Sequence, residues 1–191
     1  MANYPAVDYL LDRANIHDVI TKMSYYVDTR QWDKLADEVF IPTDLIIDYS
    51  KCFGVEPTQT TAREIATNWK QLMDKVDEAQ HIPSAILITL PQPGTETVEP
   101  RTAFATCNGA VTLVKKDADG GPLVSNGGRY DLELKRVSSR DSGAGNPWRI
   151  TKLVANLAWV EGNMKLLPYD AYMQVDKRAH LNIVGVSRSN T

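Results

Sequence analysis

Three residues have the side chains and the setting to run a reaction: His81 in EAQHIPSAILITL, Asp28 in YYVDTRQWDKL, and Tyr49 at the end of DLIIDYS. Histidine is the side chain that gives and takes a proton near neutral pH without a large shift, so His81 is the candidate general acid or base. Asp28 falls where a first helix is expected to end. The backbone dipole disfavours a carboxylate there, so a buried Asp28 calls for a partner. Tyr49 offers a hydroxyl able to hold an oxygen on which negative charge develops. Each residue also has a plainer reading that stays open at this point. His81 reads equally as a hydrogen-bonded structural histidine, Asp28 as the start of a capping box running to Gln31, and Tyr49 as an ordinary core aromatic.

The elements that must position these residues divide into a helical first third and a strand-rich remainder. Ile16, Val19, Ile20 and Met23, then Tyr26 or Val27, recur at the spacing of one buried helix face, in a helix starting near Asp8. A second helix is predicted from Gln31 to Phe40, with Trp32, Leu35, Ala36 and Val39 on its apolar side and Pro42 ending it. Leu45, Ile46, Ile47 and Tyr49 predict a strand. Thr61 and Glu64 form a capping-box signature for a third helix, whose stripe is Ile65, Trp69, Leu72 and Val76. After His81, strands are predicted near residues 82–90, 102–115, 123–137 and 148–160, separated by PQPG, DADGGP and SGAGNP. Such breaks read as hairpin connections, hence an antiparallel meander and an α+β order.

Alternation then phases the later strands. Tyr130, Leu132 and Leu134 share one face, and Arg129, Asp131, Glu133 and Lys135 share the other, read as solvent or a subunit contact. On the last strand Thr151, Leu153, Ala155, Leu157 and Trp159 share a face, which makes Trp159 a candidate wall of a cavity.

Composition excludes several function classes. A length of 191 residues fits one domain with a decorated terminus. A net charge of −3 without any Lys/Arg run gives no footprint for nucleic acid. Apolar runs are too short to span a bilayer, and the first residues lack the pattern of a secretory signal, so a cytoplasmic protein without membrane partners is expected. Cys52 and Cys107 read as reduced thiols, with one bridge between them left open. His17, His81 and His180 are scattered, and no CxxC, HExxH or EF-hand spacing occurs, so no metal site is expected. A glycine-rich phosphate loop is also absent, in agreement with a reaction that needs no cofactor.

The corner and strand of YYVDTRQWDKL and DLIIDYS, the isolated His81, the Trp148–Arg149 entry and the Trp159–Val160–Glu161 end of the last strand resemble one known family. It is the SnoaL-like, scytalone dehydratase-like branch of the nuclear transport factor 2-like superfamily, and the resemblance spans residues 8 to 162. It implies a cone-shaped α+β barrel in which three N-terminal helices pack on a strongly curved antiparallel sheet. Residues 1–162 would form that domain. Residues 163–191 would form a C-terminal extension, either a lid over the pocket or a dimer contact, and a homodimer is the implied assembly. The resemblance also implies an acid–histidine pair, Asp28 with His81, inside a hydrophobic pocket, and it matches Tyr49 to a pocket tyrosine. Tyr25, three residues before Asp28, is expected to reach the same cavity.

Two positions depart from scytalone dehydratase. That enzyme has a tyrosine immediately before the acid, where this chain has Val27. It also carries a second histidine on the following strand, where RTAFATCNGAVTLV has none. Asn108 is left there to orient a carbonyl without moving a proton.

The expected function is that of a cofactor-independent acid–base enzyme, a dehydratase, isomerase or cyclase. Its substrate would be a hydrophobic polyketide- or terpenoid-like intermediate of secondary metabolism. His81 would be the base or acid and Asp28 its partner. Tyr49 and Asn108 would hold an oxygen, and Tyr25, Tyr130 and Trp159 would complete the substrate site. The alternative is a non-catalytic small-molecule-binding or protein-interaction module, because a fold does not fix a function. Epoxide hydrolysis, which wants an Asp–Arg–Asp set around a water, has only Arg129 and Asp131 to draw on, and alternation points them away from the pocket.

Overall fold

The apolar periodicity of the first third does produce helices. The structure, a computed structural model, describes residues 4–94, 99–137 and 145–167. Helix α1, Ala6–Asp28, buries Ile16, Val19, Ile20, Met23, Tyr26 and Val27, the stripe read from spacing. Its N-cap is Pro5 rather than Asp8, and Asp8 lies in the first turn, where a carboxylate suits the dipole. Helix α2, Trp32–Lys34, runs on as a π turn, Leu35–Val39, that buries Leu35, Ala36 and Val39. Strand β1, Leu45–Asp48, leads into a one-turn helix α3, Ser50–Phe53, and a short strand β2, Thr58–Thr60. Neither of the last two is long enough to show a period. Helix α4, Ala62–Met73, opens on the capping box read from the sequence: Thr61 accepts from the Glu64 amide, and the Glu64 carboxylate accepts from the Thr61 amide.

Four long strands follow: β3, Glu78–Thr89; β4, Thr102–Val114; β5, Leu123–Arg136; and β6, Trp148–Gly162. Consecutive members pair antiparallel, as the hairpin signals required. The sheet as a whole corrects the expected architecture. It is mixed, because β1 lies parallel to β6, and its order is β2-β1-β6-β5-β4-β3. It keeps two edges, β2 and β3, so it neither closes into a barrel nor curves strongly into a cone. The physical reason lies in those edges. β2 has only three residues to pair, and β3 carries Pro83, which has no N–H to offer a further strand. Two helices precede the first strand, and the third expected helix, α4, follows β2.

The inner face of the sheet (Ala105, Cys107, Leu132, Leu134, Ile150 and Leu153) packs on α1, the π turn and α4 in one buried core. At one end of that core sits a polar cluster built on Asp12, which is fully buried. Its carboxylate accepts from Tyr4 Oη at 2.9 Å, from Trp148 Nε1 at 3.0 Å and from Arg136 Nη2 at 2.6 Å. The Arg136 guanidinium also lies 4.6 Å from the Trp148 ring centroid. This cluster ties α1 to the facing ends of β5 and β6. Among the described residues no helix is long and apolar enough to cross a membrane. The expected lid or dimer contact falls almost wholly on residues 168–191, outside the described residues.

Candidate active site

Helix α1 stops at Asp28 because the chain turns there: Arg30 adopts a left-handed φ of 57°. The turn leaves the last side chain of α1 aimed at the edge strand β3. On β3, His81 pairs across β4 with Val111. Its main-chain N–H serves the open edge and donates to Asp28 Oδ2 at 2.8 Å, while its ring Nδ1 lies 2.6 Å from Asp28 Oδ1. One carboxylate therefore holds both the backbone and the ring of the same histidine. A carboxylate only accepts, so Nδ1 carries the proton in that bond, and among the described residues Nε2 has no hydrogen-bond partner. Both side chains are 20% exposed, enough to meet a ligand and too little to be freely solvated. Asp28 is not a capping residue: Gln31 turns instead to Thr29 Oγ1, at 2.8 Å.

His81 lines a cavity of about 950 Å3 between the inner face of the sheet and the helices. Its walls are mostly apolar and aromatic, from Met23 and Val27 of α1, Phe53 of α3, Trp69 and Leu72 of α4, and Val111, Leu113 and Leu153 of the sheet. Two phenols open into it. Burial, then the neighbouring Tyr130 phenol and Cys52 thiol, push the Tyr49 hydroxyl well above the ordinary tyrosine range, and the Trp69 indole only partly offsets them. Burial, with Cys107 and Cys52 adding to it, pushes the Tyr130 hydroxyl up to about 12. Both therefore stay protonated near neutral pH and act as hydrogen-bond donors.

His81, Tyr49 and Tyr130 thus line one cavity, with Asp28 joined to it through His81, and three other candidates do not line it. Tyr25 is 56% exposed and tilts against Tyr26. At about 100° per residue it stands off the cavity face, and Ser24, one turn before Asp28, lines the wall instead. Asn108 is exposed on β4, because Cys107 and Gly109 on either side of it take the inner face. Trp159 is 49% exposed on the outer face. The β5–β6 register shifts between Gly127 and Gly128, which face Trp159 and Leu157, so Ala158 stands unopposed and the alternation reverses after it. Arg129 and Asp131 lie on the outer side, where Asp131 accepts from Thr106 Oγ1 at 2.8 Å and from Asn156 Nδ2 at 3.2 Å. Sequence reasoning missed Asn126, which lines the cavity. Its even parity with Tyr130 was the available signal, obscured by the glycines that follow it.

A family profile described as the SnoaL-like domain matches residues 8–154. The chain belongs to the SnoaL-like family. No curated protein matches it in sequence. Among solved structures, this SnoaL-like chain is similar to the Kfla4162 protein of Kribbella flavida, with 17% identity, a TM-score of 0.69, and coverage of 83% of this chain and 98% of that one. It is similar to a protein provisionally assigned as scytalone dehydratase from Novosphingobium aromaticivorans, with 13% identity, a TM-score of 0.63, and coverage of 81% and 89%. It is also similar to the hexachlorocyclohexane dehydrochlorinase LinA-type3 of Novosphingobium barchaimii, with 17% identity, a TM-score of 0.58, and coverage of 82% and 93%. At these identities the likeness shows a shared fold.

Proposed function

We propose that this SnoaL-like protein is an acid–base enzyme that takes a proton from carbon on a hydrophobic small molecule and so drives an elimination or a double-bond shift. The observation that carries this reading is the Asp28–His81 pair, joined at 2.6 Å, whose histidine lines an apolar cavity. His81 Nε2 removes the proton, and Asp28 stabilises the imidazolium that forms. The electron pair of the broken C–H bond becomes a new double bond. In an elimination the leaving group departs with its own pair and receives the proton from His81. In a double-bond shift His81 returns it to another carbon. Tyr49, and Tyr130 beside it, donate hydrogen bonds to the atom that gains charge.

The cavity is of the size that holds multi-ring ligands, about 300–1,000 Å3, which suits a polycyclic polyketide- or terpenoid-like intermediate. Ring-opening of 5-nitrobenzisoxazole tests the reading without the natural substrate. That flat bicycle loses one C–H proton as its N–O bond breaks, giving a coloured cyanonitrophenolate. Acceleration over free imidazole that disappears in His81→Ala is the expected result. Equal rates for the two proteins would remove His81 from the chemistry and favour a binding module.

A further inference from the structure

The chain as a whole is acidic, with a net charge of −3. The lining of the large cavity runs the other way: among the described residues it contains Lys75 and Lys165 and no aspartate or glutamate. Asp28 meets the cavity only through His81.

The register of the sheet puts both lysines at one end. Ala79, Leu113, Val124 and Gly162 form a row across β3, β4, β5 and β6. Lys75 stands in the turn between α4 and β3, four residues before Ala79, and Lys165 stands three residues after Gly162. The next row into the sheet holds His81, Val111 and Asn126, two residues or about 7 Å along the strands. Proton chemistry and positive charge are therefore separated along the cavity, with the histidine inside and the ammonium groups toward the exposed end.

The two lysines differ in their commitments. Lys165 Nζ lies 2.5 Å from Asp119 Oδ2. Lys75 is exposed and has no carboxylate partner among the described residues. The acidic residues that flank it are engaged elsewhere. Asp74 pairs with Lys70 at 2.5 Å and with Arg30 at 3.5 Å. Asp77 accepts from Lys115 Nζ at 3.0 Å and from the Lys116 amide at 2.8 Å. Apolar walls beside a charge of one sign focus its field into the opening.

We propose that the cavity takes an amphipathic anion: an apolar, ring-bearing body with one carboxylate, which Lys75 holds at the exposed end while the body reaches the His81 row. Lys75 sets the specificity, and Lys165, already answered by Asp119, contributes less. No arginine is present in the lining to grip a phosphate, so a single charge is the better match. The proposal rests on the reading of this cavity as the substrate site and narrows it, placing the acid group about 7 Å or more from the C–H presented to His81.

Binding of 2-naphthylacetate and of 2-naphthylacetamide, the same skeleton with and without the charge, is measured by calorimetry at pH 7 and low salt. The wild-type protein is expected to prefer the carboxylate by about 5- to 12-fold, between the worth of an exposed ion pair and that of a charge-assisted hydrogen bond. Lys75→Met keeps the apolar stem, so it should erase the preference and leave amide affinity unchanged, and Lys75→Glu should reverse the preference. Lys152→Met removes the same charge from the outer face, where Lys152 pairs with Glu133 at 3.6 Å. The preference should survive there, which separates a local contact from an effect of net charge. In His81→Ala it should survive as well, so a protein that fails to open 5-nitrobenzisoxazole can still show it. Circular dichroism checks that each variant is folded. No carboxylate preference in the wild type, a preference that survives Lys75→Met, or one that is lost in Lys152→Met or His81→Ala overturns the proposal.

Discussion

Asp12 and Asp28 stand sixteen residues apart on the same helix, one near each end, and the partners each collects differ in kind. Asp12 is completely buried and is held by a tyrosine, a tryptophan and an arginine, each a donor with a fixed role. Asp28 is one-fifth exposed and is held by the ring and backbone of a single histidine, whose second nitrogen is left to a cavity. In the first arrangement three buried donors converge on one carboxylate, and that cluster specifies where α1 meets β5 and β6. The second is open: its partner is a histidine, a side chain able to give and take a proton, and it lines a cavity. Two carboxylates on one helix thus separate into a structural clasp and a site that can do chemistry.

The comparison breaks most readily at its open end. His81→Ala is expected to lower turnover by about 10²–10⁴-fold, the usual loss for a general acid–base group, while the thermal midpoint hardly moves. At the buried end the pattern inverts. Asp12→Ala strands the buried Arg136 guanidinium and should lower stability by about 3–5 kcal/mol in urea unfolding, with activity per folded molecule kept. Asp28→Asn sharpens the contrast, because the amide preserves the shape but not the charge. Losing a charge-assisted hydrogen bond predicts a rate loss of about 10- to 100-fold, read in the same assay. Tyr49→Phe should cost about 2- to 12-fold in rate, one neutral hydrogen bond.

The smallest effect belongs to a third carboxylate, Glu38. Its hydrogen bond to Lys22, with a further one from Tyr26, holds it below the ordinary value of 4.5. A carboxylate lowered in the folded state adds stability above its unfolded pKa and loses it as the pH falls through the folded value. Glu38→Gln should therefore be less stable than wild type at pH 7, and the gap should close below about pH 4 in acid-titrated thermal melts.

Much of the frame was legible because local physics decided it. The buried stripe of α1 and the Thr61–Glu64 capping box depend on residues three and four apart, and the hairpins on runs of Gly and Pro. The parallel seat of β1 beside β6 was not legible, since it depends on where the chain returns about a hundred residues later. Trp159 was misplaced because strict alternation cannot foresee a bulge at Ala158. Asn108 was misplaced for a different reason: its chemistry was weighed ahead of its parity, although the buried Ala103, Ala105 and Cys107 already assigned it to the outer face. Asp28 and His81, fifty-three residues apart, show no mutual signal in spacing. Only the resemblance to a family suggested pairing them.

Asp28 is expected to fix His81 with Nδ1 protonated and Nε2 toward the cavity. Long-range 1H–15N NMR of the labelled protein reads this directly, with His81 assigned by the signals that vanish in His81→Ala. In the neutral imidazole the account predicts a protonated Nδ1, hydrogen-bonded and slow to exchange, and an Nε2 at the shift of a bare ring nitrogen, with that pattern lost in Asp28→Asn. A neutral His81 found with its proton on Nε2 would contradict it, because no base would then face the cavity.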